Sequence, residues 1–406
     1  MNVHVRPFLP YGRQVIEEDD VAAVAEALHG DLLTTGPYVE RFEKKLAETV
    51  GARFAAACSN GTTALYMAAR ALDLGPGNAV VVPAITFLAT ASAPHLAGAS
   101  IVFADIDPET GLMGARDLEE ALARAPGGSA DAVFNVHFAG QCGEIFEIAA
   151  LARDRGMKIV EDAAHALGAA STTPSGSVAT VGANVTSDLT TFSFHPVKTI
   201  AMGEGGAVTA NDPELAAKLK RLRNHGTVRE PGDFVHTDAA FDVQGVPNPW
   251  YYELFEPSFN FRLPDINCAL GLSQLGKLGR FVARRRALAL AYDAALAPLA
   301  PLVKPLARHA HALAAWHIYV VRLDFESAGI GRAALMRALH AQGIGTQVHY
   351  IPVHRQPYFA RVFPTPRLPG AESYYARTLT LPLHAGMTLD DVNRVVDALT
   401  GLLRIR

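Results

Sequence analysis

Cysteine is scarce in this sequence, and its spacing argues against metal binding. The 406 residues include three cysteines, Cys58, Cys142 and Cys268, which lie far apart among apolar or small residues. No CxxC pair and no Cys/His ligand spacing occurs, so the sequence supports neither structural zinc nor another metal site. We therefore expect three free, buried thiols in a protein of a reducing compartment.

Long hydrophobic runs and dense basic tracts are also missing. No apolar segment approaches the length of a membrane span, and residues 1–14 lack the hydrophobic centre of a signal peptide. The net charge is −4 and no dense lysine or arginine tract occurs, which argues against nucleic acid as the main partner. Half of the residues are hydrophobic and 19% are charged, as in compact folded proteins. We expect a cytoplasmic protein without nucleic-acid or membrane partners.

Short apolar segments alternate with helical patterns over residues 17–225. This alternation predicts an α/β fold whose large domain holds a seven-stranded, mostly parallel sheet covered on both faces. The predicted strands are FAAAC (54–58), NAVVVP (78–83), SIVFADI (100–106), AVFNVHF (132–138), KIVEDA (158–163), LTTFSF (189–194) and GAVTA (206–210). Ligands bind beyond the carboxyl ends of strands in such sheets, so we expect the site there.

The chain length and a change of pattern predict a second, smaller domain. We place the large domain at residues 1–280 and a small α+β domain at residues 281–406. The elements predicted in the small domain are strands at 317–323 and 346–351 and helices at 331–343 and 389–403.

Two connections differ from ordinary loops. Residues 171–188 are small and polar, which predicts a surface loop. Residues 227–260 are too long for a simple connection, and such segments are often functional. The aromatic run Trp250, Tyr251 and Tyr252 is a candidate to cover a pocket or to pack at an interface.

Lys198 lies between two predicted strands, at 189–194 and 206–210. Pro196 predicts a turn before it, and the glycines of the GEGG run after it permit unusual backbone conformations. A lysine amine flanked by apolar residues can be partly desolvated, which lowers its pKa and makes it a nucleophile toward carbonyl groups. Lys198 is thus either a Schiff-base lysine or an ordinary turn lysine.

Four further polar or aromatic clusters follow predicted strands or begin helices. Gly61 and Thr62, in SNGTTAL, begin a helix whose free N–H groups suit a phosphate, although the same sequence makes an ordinary N-cap. Asp162 ends an apolar strand, where a buried carboxylate needs a cation, either a protonated heterocyclic nitrogen or a salt-bridge partner. His165 follows three residues later and can face the same site.

Phe87 follows the second predicted strand, and Asn260 and Arg262 precede a helix. The phenylalanine either stacks on a flat cofactor or belongs to the core, and the two polar residues are either ligands or caps. Together the clusters supply an amine nucleophile, an anion cradle, a stacking ring and a carboxylate. These are the protein groups that pyridoxal 5'-phosphate (PLP) requires.

The chain resembles the DegT/DnrJ/EryC1/StrS family of nucleotide-sugar aminotransferases nearly from end to end. The motifs that carry this resemblance are GDLLTTGP, SNGTTAL, PAITFLATA, VEDAAHALGA, FSFHPVKTIAMGEGGAV, FNFRLPDINCALGLSQL, VHYIPVH and LPLHAGMT. The resemblance implies the PLP-dependent transferase type I fold. It also implies a homodimer whose active sites lie at the interface. The sequence departs from the family in its longer, Ser/Thr-rich 171–188 segment and in FNFR instead of the commoner YNYR.

The resemblance also implies a role for each candidate residue. Lys198 would bind PLP through an imine and act as the base, and Asp162 would pair with the ring nitrogen. His195 would either assist proton transfer or make a structural hydrogen bond beside Pro196. The other residues implied at the cofactor are Phe87 on the ring, His165 near the phenolic oxygen, Gly61, Thr62 and Ser193 at the phosphate, and Asn260 from the partner subunit. Those implied on the sugar and nucleotide side are Tyr11, Asp31, Thr34, His349 and Tyr350.

Within the family, FHPVK, NPWYYE and VHYIPVH resemble enzymes of pseudaminic acid biosynthesis. That subgroup implies amino transfer from L-glutamate to carbon 4 of a UDP-linked 4-keto-6-deoxy-N-acetylhexosamine. The same chemistry on a UDP-4-keto-pentose or a dTDP-keto-6-deoxyhexose stays open. A dehydratase on this fold lacks the imine lysine, so Lys198 argues against it. A non-catalytic regulator predicts loss of the cofactor groups, which are present here.

Overall fold

We describe residues 7–403 of the fold from a computed structural model. Residues 1–6 and 404–406, which the predicted domain limits include, lie outside the described part. The helices are α1 Glu18–Leu28, α2 Pro37–Val50, α3 Gly61–Ala71, α4 Ala89–Leu96, α5 Ala115–Leu122, α6 Ile145–Asp154, α7 Pro213–Arg223, α8 Thr237–Ala240, α9 Asp265–Leu275, α10 Leu278–Leu296, α11 Arg332–Ala341, α12 Pro357–Val362, α13 Pro369–Arg377 and α14 Leu389–Leu402.

The strands include those of the predicted sheet and several short ones. They are β1 Phe54–Cys58, β2 Ala79–Pro83, β3 Ser100–Ala104, β4 Ala132–Val136, β5 Lys158–Asp162, β6 Ala170–Thr172, β7 Val178–Thr180, β8 Leu189–Ser193, β9 Gly206–Ala210, β10 Thr227–Val228, β11 Glu253–Leu254, β12 Val303–Pro305, β13 Ala312–Leu313, β14 Tyr319–Leu323 and β15 Thr378–Leu381. None of the helices within residues 7–403 is both long and apolar enough to cross a membrane.

The predicted seven-stranded sheet is confirmed. Its strand order is β1-β9-β8-β5-β4-β2-β3, parallel from β8 to β3 and antiparallel where β9 pairs with β8 and β1. Strands β2 and β4 are buried along their whole length because helices cover both faces. The carboxyl ends of β4, β5 and β8 therefore lie at one edge. The three cysteines are free and buried, as predicted.

The C-terminal part contains a second, antiparallel sheet in the order β12-β14-β15. Its central strand β14 was predicted, but the strand predicted at 346–351 was wrong. Only Gln347 of that segment pairs, with Thr380 of β15. The segment leaves the sheet because it runs on to the large sheet, where the Val353 N–H donates to the Ala84 carbonyl at 2.9 Å.

The predicted surface loop at 171–188 is also wrong over its first half. Strands β6 and β7 form a hairpin, and β6 pairs on its other edge with β13. The strands are only three residues long and rich in Ser and Thr, so no hydrophobic alternation marks them. The hairpin is stabilised by pairing with a strand about 140 positions later, which no local pattern indicates.

The long 227–260 segment is partly ordered into β10, β11 and α8. Tyr251 packs edge-to-face on Phe234 and donates a hydrogen bond from its hydroxyl to Glu253 at 2.9 Å. Trp250 is 74% exposed. The segment therefore presents aromatic surface outward while its own strands keep it folded.

Candidate active site

A cavity of about 870 Å³ opens at the carboxyl edge of the large sheet. It collects residues from the ends of β4, β5 and β8, from the start of α3 and from the 347–356 segment. The predicted site residues that line it are Tyr11, Gly61, Thr62, Phe87, Asp162, His165, Ser193, His195, Lys198, His349 and Tyr350. Residues predicted from separate motifs are thus brought to one place.

Lys198 is held by the turn that follows β8. Its backbone N–H donates to the His195 carbonyl at 2.8 Å, which closes the turn that Pro196 begins. Burial lowers the pKa of the Lys198 amine to about 8, against the opposing effect of Asp162, and Arg285 lowers it further. A substantial fraction of the amine is therefore neutral near pH 8, as a nucleophile toward carbonyl carbon requires.

Asp162 ends β5 and is 5% exposed. Its Oδ2 accepts a hydrogen bond from the Thr90 hydroxyl at 2.7 Å, and its Oδ1 accepts one from the Ala164 N–H at 3.1 Å. Among residues 7–403 no lysine, arginine or histidine nitrogen lies within 4.0 Å of this carboxylate. A buried carboxylate without a cationic nitrogen within this distance fits the protonated ring nitrogen of PLP.

The N-terminus of α3 forms the anion-binding end of the cavity. Asn60 caps the helix by accepting from the Thr63 N–H at 3.0 Å. The N–H groups of Gly61 and Thr62 have no acceptor in the described residues and lie at the positive end of the helix dipole. A Cβ at Gly61 would lie 2.8 Å from Cβ of Ser193, so only glycine leaves this cradle open. The cradle fits a phosphate.

A group of rings closes one side of the cavity. The His165 ring lies tilted against that of His317, with 4.4 Å between centroids, and its Nε2 lies 3.1 Å from the Tyr350 hydroxyl. His349 Nδ1 lies 2.8 Å from the Thr380 hydroxyl. Burial, reinforced by the charge of Lys198, lowers the pKa of His165 far below its usual value and that of His349 to about 3. Both imidazoles are therefore neutral at ordinary pH.

Two predicted residues line the cavity but remain open to solvent. Phe87 is 52% exposed, and its ring centroid lies 6.1 Å from that of Tyr350. His195 is exposed, three positions before Lys198. A flat ligand between the sheet and Phe87 would cover the phenylalanine ring.

Three predicted residues lie outside the cavity of this chain. Asn260 is exposed, pairs through its backbone with Asn224, and uses its Oδ1 to accept from the Arg262 N–H at 3.2 Å. Asp31 and Thr34 are exposed in the segment between α1 and α2. Their roles stay predictions.

Several residues that lie beside the site could not be recognised from the sequence. Thr86 and Thr90, whose hydroxyls lie 2.7 Å apart, support Asp162, and their i, i+4 spacing was the one available sign. His317 and Arg285 come from distant parts of the chain. Arg285 is fully buried and donates to the carbonyls of His317 at 2.9 Å and Leu383 at 3.0 Å.

The partly desolvated amine of Lys198, the buried carboxylate of Asp162 and the free N-terminus of α3 meet at the edge of an α/β sheet. This fold and site define a PLP-dependent aminotransferase. The chain belongs to the DegT/DnrJ/EryC1/StrS aminotransferase family, whose sequence model matches residues 14–400. It is accordingly a sugar aminotransferase that uses PLP.

Known relatives match over nearly the whole chain. The chain is 37% identical over 400 residues to the spore coat polysaccharide biosynthesis protein SpsC of Bacillus subtilis, covering 98% of this chain and 97% of SpsC. The structure of Helicobacter pylori PseC, an aminotransferase of pseudaminic acid biosynthesis, matches with TM-score 0.84, 28% identity, and coverage of 98% and 99%. The structure of DesI with its TDP-sugar product matches with TM-score 0.82, 30% identity, and coverage of 98% and 93%.

Proposed function

We propose that this enzyme transfers the amino group of L-glutamate to carbon 4 of a UDP-linked 4-keto-6-deoxy-N-acetylhexosamine, as in pseudaminic acid biosynthesis. The reaction type rests on one observation, the meeting of Lys198, Asp162 and the α3 N-terminus in one cavity. The choice of sugar is supported by the likeness to PseC and by the motifs FHPVK, NPWYYE and VHYIPVH.

The residues present would hold PLP at several points. Gly61, Thr62 and Ser193 would bind its phosphate, Asp162 its ring nitrogen, and Lys198 its carbonyl carbon. The two remaining contacts would be Phe87 against the ring face and His165 at the ring edge. When bound, the cofactor supplies an electron sink for the carbon that carries the amine.

Lys198 is also the base that this site offers for proton transfer. Its pKa of about 8 lies near working pH, where a general base is most effective. Asp162 is buried and has no ion-pair partner within 4.0 Å in residues 7–403, so its carboxylate would hold a proton on the ring nitrogen facing it. The exposed His195 would exchange protons between Lys198 and solvent.

A second copy of the chain would complete the site. Asn260, Asp31 and Thr34 lie on the surface outside the cavity of their own chain, as residues donated to a partner subunit would. Large apolar residues are exposed in the segment that leads to Asn260, including Trp250 and Phe259. We infer a homodimer in which Asn260 reaches the phosphate of the neighbouring site and the other two contact the substrate.

Another nucleotide sugar is the second candidate substrate. The DesI match supports a dTDP-linked keto sugar, because its sequence identity of 30% exceeds the 28% of PseC. A UDP-4-keto-pentose would satisfy the same catalytic residues. The exposed substrate side of the cavity, with Gln347 and Gln356 beside His349, is where these sugars would be distinguished.

A panel assay decides between these sugars. Purified enzyme with L-glutamate is offered the UDP-N-acetyl-4-keto-6-deoxyhexose, a UDP-4-keto-pentose and dTDP-keto-6-deoxyhexoses, and amine formation is measured by mass spectrometry. We expect the UDP-N-acetyl sugar to have the highest kcat/KM. Absence of its amination, with turnover of a dTDP sugar, would reject the UDP assignment.

The role of Lys198 is tested separately with Lys198→Ala. We expect this variant to lose turnover and the borohydride-reducible adduct, although all of the other lysine and arginine residues are retained. A surviving reducible adduct would show that another lysine forms the imine. A wild-type protein that gains no visible absorbance with PLP would instead favour a non-catalytic regulator.

A further inference from the structure

Tyr350 lies on a segment that spans the two sheets of the molecule. Gln347 and Thr380 exchange backbone hydrogen bonds of 3.1 and 2.8 Å, which tie one end of the segment to the C-terminal sheet. The Val353 N–H donates to Ala84, at the end of β2, and ties the other end to the large sheet. Tyr350 therefore has its backbone set from both sides, which defines where its side chain can reach.

The Tyr350 hydroxyl reaches His165 and no other polar side chain in the described residues. The hydroxyl oxygen lies 3.1 Å from His165 Nε2, and the two rings are nearly parallel at 28°. The opposite ring nitrogen, Nδ1 of His165, is buried and has no hydrogen-bond partner within residues 7–403. The imidazole is thus held at one nitrogen and left unpaired at the other.

The direction of this hydrogen bond follows from the balance of donors and acceptors. If the phenol donates to Nε2, the proton of the neutral ring lies on Nδ1, and this N–H is the one group that lacks a protein partner. If Nε2 donates instead, both the phenol proton and the Nδ1 lone pair lack protein partners. The first arrangement leaves fewer buried polar groups unsatisfied.

Protonation states agree with the phenol as donor. Burial, together with the charge of Asp162, raises the pKa of Tyr350, so the hydroxyl keeps its proton. The titratable groups that face His165 are Lys198, His317, His349 and Tyr350. Burial and the positive charge of Lys198 keep the His165 ring neutral, so its tautomer, and not its charge, is what a neighbour can set.

We propose that Tyr350 is a positioning residue that holds His165 as the tautomer protonated on Nδ1, whose N–H then serves an acceptor atom of bound PLP. The inference rests on the proposed function only in that PLP occupies this cavity. It gives the C-terminal segment an effect on the cofactor through His165, because a shift of the segment would release the His165 ring.

Selective ¹⁵N labelling of histidine side chains tests the tautomer in cofactor-free protein. The His165 signals are assigned by their loss in His165→Asn. We expect wild type to show a pyridine-like Nε2 and a pyrrole-like Nδ1, and Tyr350→Phe to show a mixture of tautomers. Tyr374→Phe is the matched control, since it removes a neighbouring buried hydroxyl that bonds the His349 carbonyl at 2.8 Å and not His165. Unchanged His165 signals in Tyr350→Phe would overturn the proposal.

A second readout uses the enzyme with PLP bound. Tyr350→Phe should shift the pH titration of the cofactor absorbance and lower kcat/KM by about 2- to 10-fold, the range of one hydrogen bond. The same substitution in a His165→Asn background should have no further effect; an equal effect there would reject His165 as the intermediary. A tautomer change in a protein that aminates no sugar would refute the proposed function alone. An unchanged tautomer in an active enzyme would refute this inference alone.

Discussion

Glu161 and Asp162 are adjacent on β5, both are buried, and they face opposite sides of the sheet. Glu161 lies 2.7 Å from His137 and accepts a second hydrogen bond from the Thr186 hydroxyl at 2.8 Å. Asp162 has hydroxyl and backbone donors but no cationic nitrogen within 4.0 Å among the described residues. The difference teaches that burial alone does not mark a functional carboxylate. We infer that the carboxylate without a direct ion-pair partner is the one that receives a ligand.

The largest effect should come from removing the uncompensated charge. Asp162→Asn keeps the shape and one hydrogen bond, but no longer favours a protonated ring nitrogen. We expect kcat to fall on the order of 100- to 1000-fold, as for loss of a preorganised electrostatic group. The unfolding free energy without PLP should not fall, because a buried unpaired charge is removed. Steady-state kinetics and urea unfolding measure the two effects, and near-normal kcat would contradict the proposed partner.

Substitution of Glu161, which pairs with His137, should have the opposite effect: a loss of stability with little change in PLP affinity. Glu161→Gln leaves His137 without its counter-charge, and breaking such a buried pair lowers the unfolding free energy by about 3 kcal/mol. The PLP affinity of the variant that remains folded should stay close to wild type, because Glu161 faces away from the cavity. Urea unfolding and cofactor titration are the measurements. A variant that loses PLP affinity but not stability would reverse the assignment of the two carboxylates.

The pH dependence of stability should also distinguish the Glu161–His137 pair from Asp162. Burial disfavours protonated His137, but Cys142 and Glu161 more than offset it and raise its pKa from 6.5 to about 10. The resulting stabilisation is complete below about pH 6.5 and is lost as the pH rises toward 10. The lowered pKa of Glu161 adds a loss on the acid side, below its ordinary value of 4.5.

Urea unfolding of the cofactor-free protein at pH 6.5 and 9.5 measures this loss. The stability gap between wild type and Glu161→Gln should narrow at the higher pH, whereas the gap for Asp162→Asn should not follow the titration of His137. A Glu161→Gln gap that is constant over this range would show that His137 is neutral in the folded protein.

The smallest effect should come from filling the phosphate cradle. In Gly61→Ala the added Cβ approaches Ser193 Cβ and Oγ to 2.8 and 3.2 Å, which forces the two elements apart. We expect roughly tenfold weaker PLP binding, within the cost of overpacking. Gly279→Ala is the control, since a Cβ there meets nothing within 4 Å. Absorbance titration with PLP measures both. Equal affinities in the two variants would place the phosphate elsewhere.

The large sheet could be predicted because its strands are short apolar runs that local composition reveals. The site could be predicted in part for the same reason, since Asp162 and Gly61 directly follow such runs. Thr90, His317 and Arg285 could not, because only tertiary contacts bring them beside Asp162, His165 and Lys198. The strand prediction at 346–351 was wrong because His349 contacts Thr380 and Tyr350 contacts His165 instead of pairing in a sheet. The partner role of Asn260 and the domain boundary at residue 280 stay predictions.

The β6–β7 hairpin has a consequence for how the chain can be divided. Its outer strand edge is covered by β13, and the Thr172 N–H donates to the His311 carbonyl at 2.9 Å. A fragment that ends at residue 280 would keep the hairpin but lack β13. The free edge of β6 would then present unpaired N–H and C=O groups to other chains. A strand from beyond residue 280 therefore completes a sheet that begins at residue 170, so a cut at residue 280 would divide one sheet between two fragments.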